Sequence, residues 1–426
     1  MELVPSEYRN NLKVINELLQ SNTIDKILIT NINELILCIK AISQYHTFLV
    51  YLYYLKARIT KENIYFIAAR DIYIENYYYL DNVLAQELDW NTFNFTIYEF
   101  ADILYYNDIY FIPESLKNTY TIKSDSRYIA LPKDHIKYRY KIIDNLGKGS
   151  FSNVYKCMDH KFLENVAVKI IRNEARFNRQ VKIEIKILKQ LALDNNKYMY
   201  TLLDHFDFRN HTCLVFHLFK HNLYHHLKKK EFRPMCLLHV KQISYQMLTV
   251  LETMNKYNII HTDLKPENVV IDYIDIDNIK IKVIDFGSAT YKHNRIHTYI
   301  QSRYYRAPEI LLGIPYDIGI DLWSIGCIIY ELMTGNPLFN SKNETDLILA
   351  HYKFIGKFDD RYISKITKRF SILDRYNISP CLDRPYEKLE KLHKHEFLCD
   401  FLKNIFKWSS EERLSISQAL EHPFIN

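Results

Sequence analysis

The pattern of the chain changes near residue 139, and the change limits what it can fold into. From there YKIIDNLGKGSFSNVYKCMD and ENVAVKII read as short apolar runs broken by turn residues, as β-strands do. KIEIKILKQLAL then has helical spacing, HTCLVFHLF is strand-like again, and CLLHVKQISYQMLTVLETMNKY (236–257) opens a mostly helical remainder. Strands first and helices after predict an α+β chain with a small β-rich lobe and a larger helical lobe. At 48% hydrophobic residues the chain can bury a large core.

Residues 1 to about 115 read as a helical extension. Leu12, Ile15, Leu18 and Leu19 share one face, as do Ile32, Leu35, Ile36, Ile39 and Ile42. No catalytic motif or repeat stands out there, so the extension reads as packing or as a partner-binding module. Residues 116–138 are more polar, contain Pro132, and read as a linker ending in an extended segment. The N-terminus is charged, unlike a secretory signal. The apolar run TFLVYLYYL (47–55) stops at Lys56, too short to span a bilayer. The net charge of +6 arises from 56 basic and 50 acidic residues, which gives no case for nucleic acid or a membrane as partner. Seven scattered cysteines without a C-x-x-C fit free thiols of a reducing compartment. The expectation is an intracellular protein of the cytoplasm, the nucleus or both, acting as a monomer.

Only 8 glycines occur, none before Gly147. So sparse a supply should sit where backbone geometry demands it. Gly147, Gly149, Gly287 and Gly326 all fall inside the motifs that follow.

Those motifs carry a chemistry of positioning and charge neutralisation, which is what phosphoryl transfer from ATP requires. GKGSFSNV places Gly147, Lys148, Gly149, Ser150, Phe151, Ser152, Asn153 and Val154, after Leu146, where backbone amides could approach phosphates. A tight hairpin turn would look the same, and Ser152 stands where a third glycine is usual. VAVK puts Ala167 and Lys169 on a strand, with Lys169 directed at the α- and β-phosphates. Glu184, on the next helix, is its expected ion-pair partner. HTDLKPEN supplies Asp263 to take the proton of the accepting hydroxyl, Lys265 to neutralise the moving phosphoryl and Asn268 to hold Mg²⁺. DFG follows, with Asp285 as the second metal ligand and Phe286 packed behind it. APE is Ala307, Pro308 and Glu309; Asp321 should bind the catalytic-loop backbone, and Arg413 should pair with Glu309.

In this order the motifs resemble the eukaryotic protein kinases over about residues 139–426. SRYIALPKDHIKYRY, VAVKIIRNEARFNRQ, FDFRNHTCLVFHLFKHNLYHHLKKKEF and IHTYIQSRYYRAPEILLGIPYD are similar to the dual-specificity tyrosine-regulated kinases of the CMGC group, especially class II. HTDLKPEN and DFGSAT are also similar to the LAMMER (CDC-like) kinases, but NETDLILAHYKFIG replaces that branch's EHLAMMERIL signature. The resemblance implies ATP and Mg²⁺ as cofactors, with Phe216 as gatekeeper and the base held by the C=O of His217 and the N–H of Phe219. It implies protein substrates phosphorylated on Ser or Thr, with Arg upstream and often Pro just after. His217 departs from the family's usual Glu, and the lobe after Phe354 is shortened. A pseudokinase scaffold is the alternative, yet Lys169, Glu184, Asp263, Asn268 and Asp285 are all present.

Thr262 stands where many kinases carry the Arg that clamps an activation-segment phosphate. The resemblance implies a substitute: autophosphorylation on Tyr299, with the phosphate held by Arg303 and Arg306.

Overall fold

The structure, a computed structural model, describes residues 126–128, 130, 135–137, 139–294, 299–357 and 385–426. The helical extension, most of the linker and the shortened segment from 358 to 384 lie outside them. The chain forms two compact units. The described part of the first runs to Asn173 and includes Phe206–Val215; the second is Glu174–His205 with Phe216–Asn426.

The first unit is built on a sheet ordered β1-β2-β3-β4-β6-β5. Its strands are β1 (His135–Ile136), β2 (Tyr140–Lys148), β3 (Ser152–Asp159), β4 (Glu164–Ile171), β5 (Leu202–Phe208) and β6 (His211–His217). The β2–β3 hairpin turns at Gly149–Phe151, closed by Gly149 N–H on Ser152 C=O at 2.9 Å. Val154 lies directly opposite Lys169 in the antiparallel β3–β4 ladder. Side chains alternate along a strand, so Val154, Ala167 and Lys169 share one face. Tyr140 stacks on Phe206 at 5.6 Å, and the buried Arg139 grips Asp159 through two bonds of 2.7 Å. The end of the segment read as a linker is fastened to this sheet: Arg127 donates to Asn153 Oδ1 at 2.9 Å, and Ser126 C=O accepts from Asn173 N–H.

The second unit is mainly helical. Its helices are α1 (Ala175–Ala192), α2 (Leu223–Lys229), α3 (Leu237–Lys256), α4 (Pro308–Leu312), α5 (Gly319–Thr334), α6 (Glu344–Ile355), α7 (Glu396–Ile405) and α8 (Ile416–Glu421). α1 buries Phe177, Val181, Ile187, Leu188 and Leu191, the helical spacing seen in the sequence. α8 starts with a capping box between Ser415 and Gln418. α5 is buried on almost every side, and Gly326 lets α7 approach it: an added Cβ would stand 2.9 Å from Ile405 and Phe406 side chains. Among the described residues no helix is long and apolar enough to cross a membrane.

Of the four motif glycines Gly326 is demanded by close packing, while positive φ is found at Gly313, Gly335 and Gly356. Gly335 is the strictest case, because a Cβ there would fall 1.7 Å from Phe232 C=O. Gly147 has open space around its missing Cβ.

Short strands place the functional loops. β8 (Ile259–Ile260) enters HTDLKPEN and β9 (Val269–Ile274) leaves it; β10 (Ile279–Val283) enters DFG and β11 (Thr290–Tyr291) leaves it. β9 pairs with β10 and with β7 (His221–Asn222), while β8 pairs with β11. The two loops are thus tied side by side at both ends. Ile284 N–H completes the link to Asn268 C=O at 2.9 Å.

An aromatic cage surrounds the fully buried His351. Phe339 is 4.3 Å away, Trp323 4.9 Å and Trp408 6.5 Å, and neither ring nitrogen has a hydrogen-bond partner among the described residues. Burial lowers its pKa to about 3, with Arg413 and Lys388 adding to the shift. The unfolded chain then takes up a proton below about pH 6.5 that the native chain refuses. This contribution to stability is complete above that pH and is lost as the pH falls towards 3. Urea unfolding at pH 7 and pH 5 is expected to differ by about 2 kcal/mol more in the wild type than in His351→Phe.

Candidate active site

His261 N–H and Thr262 N–H both donate to the buried Asp321 carboxylate, at 2.7 and 3.0 Å. Burial pushes Asp321 up to about 7, while these two donors act in the opposite direction. The anchor holds an unusual backbone. Thr262 has φ 68, a region that β-branched residues rarely enter. Such strain costs on the order of 1–3 kcal/mol and persists only where the surroundings over-determine it. Here its N–H is on Asp321, its Oγ1 donates to Ser288 C=O at 2.8 Å, and its C=O accepts from Gln301 N–H at 2.9 Å. Thr262 is fully buried and ties the catalytic loop to the DFG segment and to the 299–307 segment. It holds backbone, and it has no path to a surface phosphate.

His261 is buried against Phe286, ring centroids 4.9 Å apart. Its Nδ1 is 3.3 Å from Asp263 N–H and its Nε2 is 3.0 Å from Ile284 C=O. That pairing assigns the neutral tautomer with the proton on Nε2. Burial lowers its pKa, in agreement with a neutral ring.

The turn so fixed presents Asp263. Its Oδ2 accepts from Lys265 Nζ at 2.7 Å and from Asn268 Nδ2 at 3.3 Å. Its Oδ1 accepts from Ser302 N–H at 3.1 Å and Ser302 Oγ at 2.8 Å, and Lys265 also reaches Ser302 Oγ at 3.1 Å. Charged partners make such bonds short and strong, so the carboxylate has one orientation. Asn268 Nδ2 also donates to Asp263 C=O at 2.8 Å. With its nitrogen spent, the amide presents its oxygen, the atom a hard cation takes. Asp285, in the left-handed region at φ 63, caps the turn by accepting from Gly287 N–H at 3.3 Å. Among the described residues no group of three or more His, Cys, Asp or Glu side chains forms a metal cage. One carboxylate and one amide oxygen fit Mg²⁺, which is usually held by few protein ligands with phosphate and water completing its shell.

The remaining sequence-predicted residues fall into place by unit. Gly147 to Val154 form the hairpin of the first unit, with Leu146 and Phe151 exposed and Ser152 and Asn153 buried. Lys169 is buried on β4 of that unit, and Glu184 is buried on α1 of the second. Phe216 and His217 end β6, with Phe219 just beyond.

Tyr299 is 65% exposed, open to modification. In this unmodified chain Arg306 lies over its ring at 4.3 Å, but the guanidinium is already committed. Nε and Nη2 donate to Gln301 C=O at 3.2 and 2.8 Å, and Nη1 to Glu344 at 2.9 Å. Arg303 donates one nitrogen to Lys342 C=O at 2.6 Å. The sequence reading did not single out Gln301 or Ser302. Gln301 sits at φ 64, and its side chain bonds Ile320 C=O, Ser324 and Ala307 N–H. Ser302 reaches Asp263 across 39 residues of chain, so no local pattern could reveal it. The other expected anchor is present: buried Arg413 holds Glu309 through two bonds of 2.7 Å.

The protein kinase domain family matches residues 140–425. The human dual specificity tyrosine-phosphorylation-regulated kinase 4 is 37% identical over 353 residues, 77% of this chain and 67% of that protein. A putative dual specificity tyrosine-phosphorylation-regulated kinase 3 homolog of Drosophila melanogaster is 37% identical over 370 residues, 78% of this chain and 44% of its own length. The serine/threonine-protein kinase ppk5 of Schizosaccharomyces pombe is 38% identical over 360 residues, 78% and 42%. The chain thus spans two thirds of the first relative and less than half of the other two. With its motifs in order and these relatives beside it, the chain belongs to the protein kinase family and, within that, to the dual-specificity tyrosine-regulated kinases.

Proposed function

We propose that the chain is an active protein kinase that phosphorylates Ser and Thr of protein substrates and autophosphorylates on Tyr299. The observation that carries this reading is the Asp263 carboxylate, fixed on both oxygens by Lys265, Asn268 and Ser302. ATP with Mg²⁺ supplies the phosphoryl group and the cations that bridge its charge. Asp263 orients the accepting hydroxyl and takes its proton. Lys265, already 2.7 Å from Asp263, places an ammonium where negative charge moves. Asn268 and Asp285 offer oxygens to the cation, and the His217 and Phe219 backbone holds the base. Lys169 and Gly147–Val154 are assigned to the phosphates by their motifs. Catalysis is assigned to residues 139–426, and residues 1–115 to an accessory or partner-binding role.

A preference for Pro just after the target residue is supported by the bonding of Gln301. Its C=O is occupied twice over by Arg306 and its N–H by Thr262, so this stretch of backbone offers no acceptor to an incoming peptide N–H. Proline has no N–H to leave unsatisfied. A buried donor without a partner costs about 1–3 kcal/mol. A peptide-array assay of the wild type beside Asp263→Ala tests both statements. Phosphate is expected only from the wild type and only on Ser or Thr, and replacing the following Pro by Ala is expected to lower kcat/KM about tenfold. Equal rates on Pro and Ala peptides would remove the Gln301 argument.

A further inference from the structure

Tyr200 lies between α1 and β5, outside every motif above. Its ring stacks on Phe216 with centroids 4.5 Å apart and planes 10° apart. It also tilts against Phe219 at 5.6 Å, and its hydroxyl is 2.8 Å from His217 C=O. One side chain therefore touches the gatekeeper Phe216 and both residues to which the base contacts are assigned. Burial, with a further contribution from the Asp285 carboxylate, raises the phenol well above its ordinary pKa. It stays protonated, so the hydroxyl donates and the carbonyl accepts. His217 is itself exposed, and its carbonyl has a second lone pair for another donor.

Resting on the reading of the chain as an ATP-dependent kinase, we propose that Tyr200 is a specificity-determining residue of the nucleotide site, whose hydroxyl competes with the 6-amino group of adenine for His217 C=O. A donor already seated on an oxygen draws off the charge that a second donor would meet. It also narrows the directions from which that donor can approach. Affinity for a purine carrying a 6-amino donor is held down by this contact. Affinity for a purine with a 6-oxo group, which has no donor to place there, is not.

Calorimetry on the full chain tests this, with Mg-ATP and Mg-ITP titrated into the wild type and Tyr200→Phe. Phenylalanine keeps the stack on Phe216 and removes only the hydroxyl. The expected result is about two- to tenfold tighter ATP binding in the variant, with ITP binding and melting temperature unchanged. Unchanged or weaker ATP binding overturns the proposal, as does an equal shift for both nucleotides, which would mark a merely structural role. If the wild type fails to bind Mg-ATP at all, the kinase reading itself falls and the proposal with it. Wild-type binding with no effect of the variant sinks the proposal alone.

Discussion

Asp263→Asn is expected to fold as the wild type and to lose about 10²–10⁴-fold in kcat, the usual contribution of a positioned general base. The amide is isosteric, so it removes the proton acceptor and little else. Its oxygen can still accept from Ser302 or from Lys265. Its nitrogen must then face a donor on the other side, which loosens the four bonds that orient the side chain. KM for ATP is expected to change little, because Asp263 is assigned to the hydroxyl and not to the nucleotide. Steady-state assays with a Ser-Pro peptide check both numbers. A variant retaining near wild-type kcat would move the proton transfer to another group.

The second large effect is on stability. Arg413→Met leaves the Glu309 carboxylate buried without its two 2.7 Å bonds, in a place where the Arg413 side chain is 0% exposed and that of Glu309 4%. Breaking a buried pair by removing one partner costs about 3–5 kcal/mol, most of it the stranded charge. Arg413 also donates to Gly319 C=O and lies over Trp323 at 5.0 Å, so its loss reaches α5 as well. The double variant Arg413→Met with Glu309→Leu is expected to recover much of the loss, because no charge is stranded. Urea unfolding of the two single variants and the double supplies the cycle. Additive losses would mean that the pair is not coupled.

The legible parts of this protein are those written in contiguous sequence. HTDLKPEN, DFG and the Lys169 strand carry their chemistry in short runs, and the change of periodicity at 139 separates strands from helices. What the sequence hid depends on contacts over long separations. Ser302 becomes part of the site only because the activation segment folds back onto Asp263. Tyr200 matters only because its segment passes beside the end of β6. The resemblance implies a phosphate-holding role for the arginines near Tyr299, whereas the folded chain already binds Arg306 to Gln301 and Glu344. Glycine scarcity was legible in part: Gly326 lies in a motif and packing demands it, whereas Gly313 and Gly335 are helix ends where a positive φ is set by how the chain turns.

Thr262 brings these lines together. Its buried hydroxyl reaches Ser288 C=O, and its backbone N–H and C=O reach Asp321 and Gln301, so this one residue ties three segments to one another. In the proposed function control rests on Tyr299, which is exposed beside Arg306. The most direct measurement is phosphosite mapping by mass spectrometry of the purified chain and of Asp263→Asn, both expressed in a host without tyrosine kinases. The account predicts phosphate on Tyr299 in the wild type and none in the variant. A fully active wild type with unmodified Tyr299, or the same phosphate on both proteins, would contradict it.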